Sequence, residues 1–304
     1  MDIAPWFASP LEAIQQQFNS GKLAHAILLK MQYRLDVHPL LNAICQTLRQ
    51  QENLNFLEAT DVYYLTVEQS QIKLDGLKEV VQHLTLNSHS GKCKIVIIDP
   101  AEAMNTSATN AILKTLEEPR QDTYFFLVTY HAEFLLPTIQ SRVQVVDIHI
   151  SKNQAMTYLR EQYQMNDADI SKAMTLTRQR VDKIIQIKAD KSQWQLRTQL
   201  IKALLGHVSI TDFAEQYKLQ IQDVLFWLSS LLCDVYLYQC GAKQGYANVD
   251  QMHLVMDLAQ RQNQQQVYSL YQQTLKIIGL IGQHYNVNMA LSLESLLLKT
   301  QQGK

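Results

Sequence analysis

KIVIIDP, at residues 94–100, is the stretch of sequence that decides the fold. The β-branched run from Ile95 to Ile98 is typical of a strand buried on both faces of a parallel sheet. The run ends at Asp99, at the carboxyl end of the predicted strand, where open α/β sheets place ligand chemistry. This stretch therefore predicts a central strand with an acidic residue at the functional edge of the sheet.

The following residues predict a helix and a second strand. Asn105 has the side chain of a helix cap, and Pro119 would end the helix. The run YFFLVT, at residues 124–129, is again β-rich and apolar, so the order strand–helix–strand predicts one parallel crossover unit. Apolar residues that recur every fourth position would form the buried face of the helix: Ala108, Ile112 and Leu116.

The composition predicts a globular chain of two or three domains. It has 304 residues, of which 47% are apolar and 18% are charged, a balance typical of a folded protein with a sizeable core. The net charge of −1 argues against a broad electrostatic footprint for nucleic acid, although a local basic patch stays open. No run approaches the length of a membrane span and the N-terminus lacks a signal pattern, so we expect a cytoplasmic protein.

The cysteines predict no disulfide or metal chemistry. None of them forms a C-x-x-C pair, and buried or incidental thiols in a reducing compartment explain them best. The four positions are Cys45, Cys93, Cys233 and Cys240.

The N-terminal residues predict a helix. Ser9 and Glu12 have the spacing of a capping box, with Pro10 at the first helical position. Gly21 would end this helix. Trp6, which precedes it, is interpreted as a core or interface anchor.

Further elements follow from the apolar pattern. Residues 25–29 (HAILL) predict a strand, and residues 72–86 predict a helix capped by Asp75, followed by a polar turn at 87–92. Residues 147–205 are mostly helical by pattern.

Residues 224–234 are apolar nearly all round, which is typical of a helix packed on several sides.

The order of these phrases resembles the core of AAA+ ATPase-like proteins and, within them, the clamp-loader subunits of bacterial DNA polymerase III. The phrase NAILKTLEEP (110–119) is very similar to the family's phrase between the Walker B and sensor 1 strands, and Ser141-Arg142-Val143 stands where the family carries Ser-Arg-Cys. The resemblance implies an α/β plus all-α protein. In this fold an AAA+ module, with a parallel-sheet domain and a small helical lid, is followed by a C-terminal helical collar.

The resemblance also implies three domains. These are a degenerate AAA+ nucleotide-binding-like domain at residues 1–146, a helical lid at 147–206, and a helical collar for oligomerisation at 207–304. Residues 286–298 resemble the last collar helix of the family.

The loop that would bind phosphate departs from the family pattern. In relatives the strand at residues 25–29 leads into G-x-x-x-x-G-K-[ST], whereas residues 30–38 here read KMQYRLDVH. Without glycine, backbone amides cannot easily curl around a phosphate. Val37 or His38 stands near the place of the phosphate-contacting lysine, and Asp36 would put a negative charge beside a nucleotide. We therefore expect no nucleotide cofactor.

The Walker B motif is also damaged. In active relatives an Asp holds magnesium and the Glu after it orients the attacking water. Here Asp99 is retained but Pro100 replaces the Glu, and Glu102 comes two residues late. Thr129, at the sensor 1 position, is expected to pack. Residues 49–55 lack the cysteines of the zinc module found in many relatives, so we expect no metal.

Four cationic residues could replace lost nucleotide contacts. Lys30 and Arg34 lie in the altered loop, and Arg178 or Arg180 lies where relatives carry the sensor 2 arginine. We interpret Lys30 and Arg34 as solvated surface residues, and we assign the sensor role to neither of the other two.

Arg142 and Ser141 are the candidate catalytic residues. In the family this arginine reaches the γ-phosphate bound by the neighbouring subunit, and a guanidinium fork suits that role. The alternative is an ordinary surface salt bridge. Lys114, Glu117 and Glu118 are interpreted as a charged helix surface, and a contact with a neighbouring subunit stays open.

The resemblance implies a non-hydrolysing subunit of the polymerase holoenzyme. It would be a stator in a hetero-oligomeric ring with gamma/tau-type ATPase subunits and a clamp-opening delta-type subunit, which loads the sliding clamp on primed DNA. One alternative is an ATP-hydrolysing AAA+ clamp-loader motor or replication initiator with an atypical site. Another is a free-standing DNA-binding protein, which the near-neutral charge opposes.

Overall fold

The structure is a computed structural model that describes residues 3–67, 71–72, 74–84, 92–282 and 288–302. It divides into two compact units, Met1–Tyr158 and Leu159–Lys304, called here the N-terminal and C-terminal units. Each is described by itself.

The described strands of the N-terminal unit form a parallel sheet in the order β2-β3-β4-β1-β5. Every residue of β3 is buried, because helices cover both faces of the centre of a parallel sheet. The strands are β1 (Ala26–Met31), β2 (Val62–Thr66), β3 (Lys94–Asp99), β4 (Thr123–Thr129) and β5 (Gln144–Ile148).

Helices pack on this sheet through apolar faces. One core cluster joins β3 and β4 to the helices that follow β2 and β3, with residues such as Leu77, Val96 and Ile112 almost fully buried. The helices are α1 (Pro5–Asn19), α2 (His38–Arg49), α3 (Leu74–Leu84), α4 (Thr106–Glu117) and α5 (Pro137–Gln140), and α6 (Lys152–Tyr163) runs across the division between the units.

The crossover predicted from residues 94–129 is confirmed. The Asn105 side chain accepts a hydrogen bond from the Ala108 N–H at 2.8 Å and so caps α4. The α4 residues Ala108, Ile112 and Leu116 are at most 1% exposed, and β3 and β4 pair in parallel.

The predicted start of the first helix is wrong. The helix begins at Pro5 rather than at Pro10, and no side chain caps it. Pro5 supplies the fixed φ that suits the first turn, and burial of Trp6 and Phe7 stabilises a turn that the capping-box pattern would have left outside. The predicted stop is confirmed, because Gly21 has φ +66° just after the helix.

Other differences concern short strands and one cap. The sequence analysis did not predict β2 or β5, and β5 runs to Ile148, past the boundary proposed at residue 146. Asp75 lies inside the first turn of α3 rather than at its cap. The turn predicted at 87–92 lies, except for Lys92, outside the described residues. So do residues 85–86 of the predicted helix and 286–287 of the predicted collar segment. The three-domain division stays a prediction.

The described part of the C-terminal unit is helical. Its core forms around α11, which buries Val224, Leu228 and Val235 among ten residues and so confirms a helix packed on several sides. The helices are α7 (Asp167–Leu176), α8 (Val181–Ala189), α9 (Ser192–Leu204), α10 (Ile210–Tyr217), α11 (Ile221–Gln239), α12 (Met252–Arg261), α13 (Gln264–Gly282) and α14 (Met289–Gln302).

Within the described residues, one stretch, Ile210–Gln239, is long and apolar enough to cross a membrane by length and composition. The expectation that no run approaches this length is therefore wrong. Because 56% of its most apolar window is buried inside the fold, the stretch has the burial of a core helix.

A buried carboxylate joins α11 to the loop that follows it. Asp234 is 0% exposed and accepts hydrogen bonds from Arg178 Nη2 at 2.6 Å and from the backbone N–H groups of Ala247 and Asn248 at 3.0 and 2.7 Å. The Asn248 side chain donates a further bond at 2.8 Å. Several donors thus compensate the cost of burying this charge.

We expect Asp234→Ala to lower the free energy of unfolding by roughly 3 kcal/mol, because it leaves Arg178 and two buried N–H groups without their acceptor. Urea unfolding followed by circular dichroism measures the change. The matched control is Asp257→Ala, which breaks the exposed pair with Arg261 and should cost about 0.5 kcal/mol. Equal losses in the two variants would contradict this account of the network.

Candidate functional site

Because the strands are parallel, residues at their carboxyl ends meet at one edge of the sheet. Thr66 pairs with Asp99 across β2 and β3, and Lys30 pairs with Thr129 of β4 on one side and Asp147 of β5 on the other. This carboxyl edge is where ligand chemistry of α/β sheets takes place.

Asp99 lies buried at this edge and is held by tyrosines. It is 7% exposed, its Oδ2 accepts from the Tyr64 hydroxyl at 3.2 Å, and the Tyr130 hydroxyl is a second polar neighbour, which lowers the pKa of this carboxyl. His38 Nε2 lies 3.2 Å from the Tyr64 hydroxyl oxygen. The carboxylate that would hold magnesium in an active relative therefore binds side chains of its own chain.

The pKa shifts at this edge agree with a buried carboxylate whose neighbours belong to its own chain. Burial raises the pKa of Asp99 above its ordinary 3.8, although the two tyrosine hydroxyls and the charge of Arg34 oppose the shift. Burial, followed by the charge of Asp99, raises the pKa of Tyr64 to about 12 and raises the pKa of Tyr130 as well. Both phenols therefore keep their protons at neutral pH and serve as donors.

The loop before α2 contains a carboxylate that accepts a hydrogen bond from the first residue of the helix. Asp36 Oδ1 accepts from the His38 N–H at 3.0 Å, at a helix N-terminus, the place where phosphate-binding proteins hold an anion. Val37 is buried, and the His38 ring makes edge contacts with Phe56 and Tyr64 at 5.5 and 5.7 Å between centroids. Neither of the two residues near the lysine position offers a cation directed at a phosphate on this loop.

The flanking cations have other partners. Lys30 Nζ lies 3.1 Å from Asp147 Oδ2 in an exposed pair. The Arg34 guanidinium is 5.4 Å from the centre of the Tyr130 ring, a cation–π distance. Both side chains lie at the surface, as predicted, but Arg34 also covers the tyrosine that binds Asp99.

Glu102 and Thr129 have structural contacts. Glu102 Oε1 accepts from the Tyr130 N–H at 3.0 Å, which ties this carboxylate to the residue after β4. Thr129 is 0% exposed and its hydroxyl oxygen accepts from the His131 N–H at 3.2 Å. Thr129 therefore packs, as predicted.

Arg142 projects from the end of α5 and is anchored by several acceptors. Its Nε donates to Glu117 Oε1 at 2.7 Å, and Nη2 also pairs with this carboxylate. Its Nη1 donates to the Thr138 carbonyl at 2.9 Å and to Ser141 Oγ at 3.1 Å. Ser141 in turn donates to the same carbonyl, so the serine orients the guanidinium.

The arginine remains accessible in this arrangement. About a third of its side chain is exposed, and about half of the Glu117 side chain. Glu117 is the last residue of α4, and Arg142 follows the one-turn helix α5 that Pro137 begins. Within the described residues, one N–H of Nη2 has no acceptor, and the Glu117 carboxylate occupies the fork that a phosphate would use.

The two arginines of the C-terminal unit have internal partners. Arg178 binds Ser230 and Asp234. Arg180 Nε and Nη2 form a two-point pair with Asp182 at 2.8 and 2.5 Å. Both guanidinium groups are thus bound to carboxylates of the same unit.

Two of the four thiols are buried. The four cysteines are free, and burial raises the pKa of Cys45 to about 12 and that of Cys93 to about 11. Across the part of the chain that the structure describes, no three His, Cys, Asp or Glu side chains are grouped to hold a metal ion.

Sequence reasoning missed three residues of these sites. Tyr64 lies in the run VYYLT at 62–66, whose aromatic and β-branched residues were a strand signal. Tyr130 directly follows β4, so its place at the carboxyl edge was foreseeable once the strand was. Glu117 was noted only as a surface charge, because no sequence pattern shows that α4 and α5 end side by side.

Two family models match the chain. The model described as "DNA polymerase III, delta subunit" matches residues 8–152, and the model described as "DNA polymerase III, delta subunit, C terminal" matches residues 191–302.

Curated relatives match along most of their length. DNA polymerase III subunit delta′ of Escherichia coli K12 is 26% identical over 98% of this chain and 95% of its own, and that of Yersinia pestis is 27% identical over 85% and 84%. DNA polymerase III subunit gamma of Buchnera aphidicola (Baizongia pistaciae) is 22% identical over 91% and 82%.

The raised pKa of Asp99 predicts a pH dependence of stability. The folded chain holds this proton more tightly than the unfolded chain, so the stabilisation is complete below pH 3.8 and is lost as the pH rises through the raised pKa. We expect Asp99→Asn to remove this pH dependence. The free energy of unfolding of the wild type should therefore fall relative to that of the variant as the pH rises from 3.8 through the raised pKa. Urea unfolding midpoints from about pH 3.5 to about pH 7 measure it.

The control for this experiment is Glu12→Gln on the exposed side of α1. Water solvates this carboxylate in the folded and the unfolded chain, so its pH profile should keep the wild-type shape. A wild-type profile in Asp99→Asn would show that Asp99 does not titrate in this way.

Proposed function

The chain belongs to the family of delta-prime subunits of the DNA polymerase III clamp loader, which acts in DNA replication, and we propose that it is a non-hydrolysing member that supplies Arg142 to a neighbouring ATP site. The proposal that the chain does not hydrolyse ATP rests on the contacts of Asp99 with Tyr64 and Tyr130. The proposal that Arg142 acts at a neighbouring ATP site rests on its guanidinium, which is about a third exposed and is held by Glu117.

Three independent losses support a chain that does not hydrolyse ATP. The loop at residues 30–38 has no glycine, Pro100 stands in place of the Walker B glutamate, and Asp99 is already bound by phenols. Restoring a magnesium site would require breaking these bonds and adding a water-orienting carboxylate. The alternative of an atypical ATPase therefore has no support from the geometry of the site.

The surroundings of Arg142 suit a residue that acts on another subunit. Ser141 and the Thr138 carbonyl fix Nη1, while Nε and Nη2 form the fork that points at Glu117. Both donors contact the single oxygen Oε1 of Glu117, whereas a phosphate group of a neighbour's ATP offers two oxygen acceptors and more charge. Arg142 would exchange the Glu117 carboxylate for phosphate oxygens and stabilise the charge that develops in the transition state.

The proposed partners follow from the family. The relatives include delta′ and gamma subunits of DNA polymerase III, so the chain is a component of a multi-subunit complex. We propose a ring with gamma/tau-type ATPase subunits and a delta-type subunit, which places the sliding clamp on primed DNA. A cytoplasmic location fits this role.

We expect the isolated chain not to bind ATP, because the Asp99 edge is filled by tyrosines and the loop before α2 provides no phosphate cradle. Titration with a fluorescent ATP analogue and magnesium measures this, with an ATP-binding clamp-loader subunit as the positive control. Stoichiometric binding that Asp99→Ala abolishes would instead support the atypical ATPase.

We expect Arg142→Ala to assemble with its partners but to lower the DNA- and clamp-stimulated ATPase rate of the reconstituted complex about two- to tenfold. One of several ATP sites would lose an arginine contact that raises the hydrolysis rate about a thousandfold or more at a single site. Arg142→Lys should be impaired as well, because an ammonium keeps the charge but not the fork.

The matched control is Arg160→Ala, which removes an arginine from the exposed pair with Asp167 and should leave the rate unchanged. Gel filtration checks assembly. An Arg142→Ala complex with the wild-type rate would show that this arginine is structural, and failure of the wild-type chain to assemble would contradict the role in the ring.

A further inference from the structure

A groove in the C-terminal unit lies among α7, α8 and α9. Its volume is about 660 Å³, within the range of pockets that bind ligands or partner side chains. Ile184 and Met165 are buried at its base, and Leu176 and Ile187 continue this apolar surface. The remaining lining includes Lys172, Lys188, Lys191 and Trp194.

The rim of the groove is basic. Lys172, Lys188 and Lys191 are exposed, and none of the three has an ion pair with another described residue. Asp169 is the one carboxylate of the lining, and it accepts from the Asn166 side chain at 2.9 Å. The rim therefore has a net positive charge that the groove itself does not neutralise.

Two other lysines of this unit have carboxylate partners. Lys183 Nζ lies 2.5 Å from Asp223 Oδ1 in a largely buried pair, and Lys218 pairs with Glu215. The three rim lysines surround an apolar surface without any such partner, an arrangement that favours an acidic ligand with an apolar side.

Trp194 adds an anchor at the same rim. It is 44% exposed, whereas Trp6 and Trp227 are 3% and 2% exposed. Exposing so much aromatic surface to water is unfavourable, and tryptophan is among the residues that contribute most to binding at interfaces.

We propose that this groove binds an acidic amphipathic helix of a partner protein. Apolar side chains at positions i, i+3 or i+4, and i+7 of that helix would contact the aliphatic base and Trp194, and its acidic flank would pair with the rim lysines. This site does not involve Arg142, so it stands or falls independently of the arginine proposal.

The groove suits a peptide better than the other anionic ligands. A single strand of nucleic acid is held by a series of aromatic platforms along a basic track, whereas Trp194 is the one aromatic residue of this lining. A bound phosphate backbone would also leave the aliphatic base without a partner. An amphipathic helix satisfies the base and the rim together.

The test measures binding of a labelled synthetic helix to the full chain by fluorescence anisotropy. The probe is a peptide of about five turns with leucines at the spacing above and glutamates on both flanks. Its matched control has lysine in place of every glutamate. We expect saturable binding of the acidic peptide and at least tenfold weaker binding of the basic one.

Variants then locate the site. Lys172→Glu with Lys188→Glu should weaken binding of the acidic peptide about five- to tenfold, and Trp194→Ala should weaken it by a similar factor. The control pair Lys243→Glu with Lys276→Glu changes two exposed lysines outside the lining and should leave the affinity within about twofold. Circular dichroism checks that all variants fold.

Several outcomes would overturn the proposal. These are the absence of saturable binding, equal affinity for the acidic and basic peptides, and an unchanged affinity in the rim variants or in Trp194→Ala. Displacement of the peptide by a short oligothymidylate would assign the groove to nucleic acid, and displacement by oleate would assign it to a lipid. Either result would show that the proposed occupant is wrong.

Discussion

A carboxylate at the end of a fully buried strand has to be hydrogen-bonded or neutralised, and this constraint shapes the N-terminal unit. Asp99 ends β3, every residue of which is buried. An active relative meets the constraint with a metal ion. This chain meets it with the phenols of Tyr64 and Tyr130, whose raised pKa values keep them protonated as donors. The fold thus provides hydrogen-bond donors of its own for the acidic edge.

Polar groups of the loop before α2 also have partners within the chain. Asp36 supplies the anion at the N-terminus of α2, and the His38 ring contacts Tyr64 rather than a ligand. Each group that would attract a phosphate or a metal in an active relative has a partner within the chain. This edge of the sheet is therefore held together by contacts within the chain.

The arginines of this molecule differ in how deeply their carboxylate partners are buried. Arg178 binds the carboxylate of Asp234, which is 0% exposed. Burial of this carboxylate makes loss of its partner costly. Arg142 has a half-exposed carboxylate as its partner, and water screens that pair.

The sequence by itself determined the crossover from β3 to β4 and the Asn105 cap, because periodicity and capping are local properties. It misplaced the start of α1, since burial of Trp6 and Phe7 outweighed a capping-box pattern. Only the tertiary structure decided that Tyr64 and Tyr130 bind Asp99, that Glu117 holds Arg142, and that three unpaired lysines surround one apolar groove. Those contacts join residues that are far apart in the chain, and parallel register and helix packing, which no local pattern encodes, bring them together.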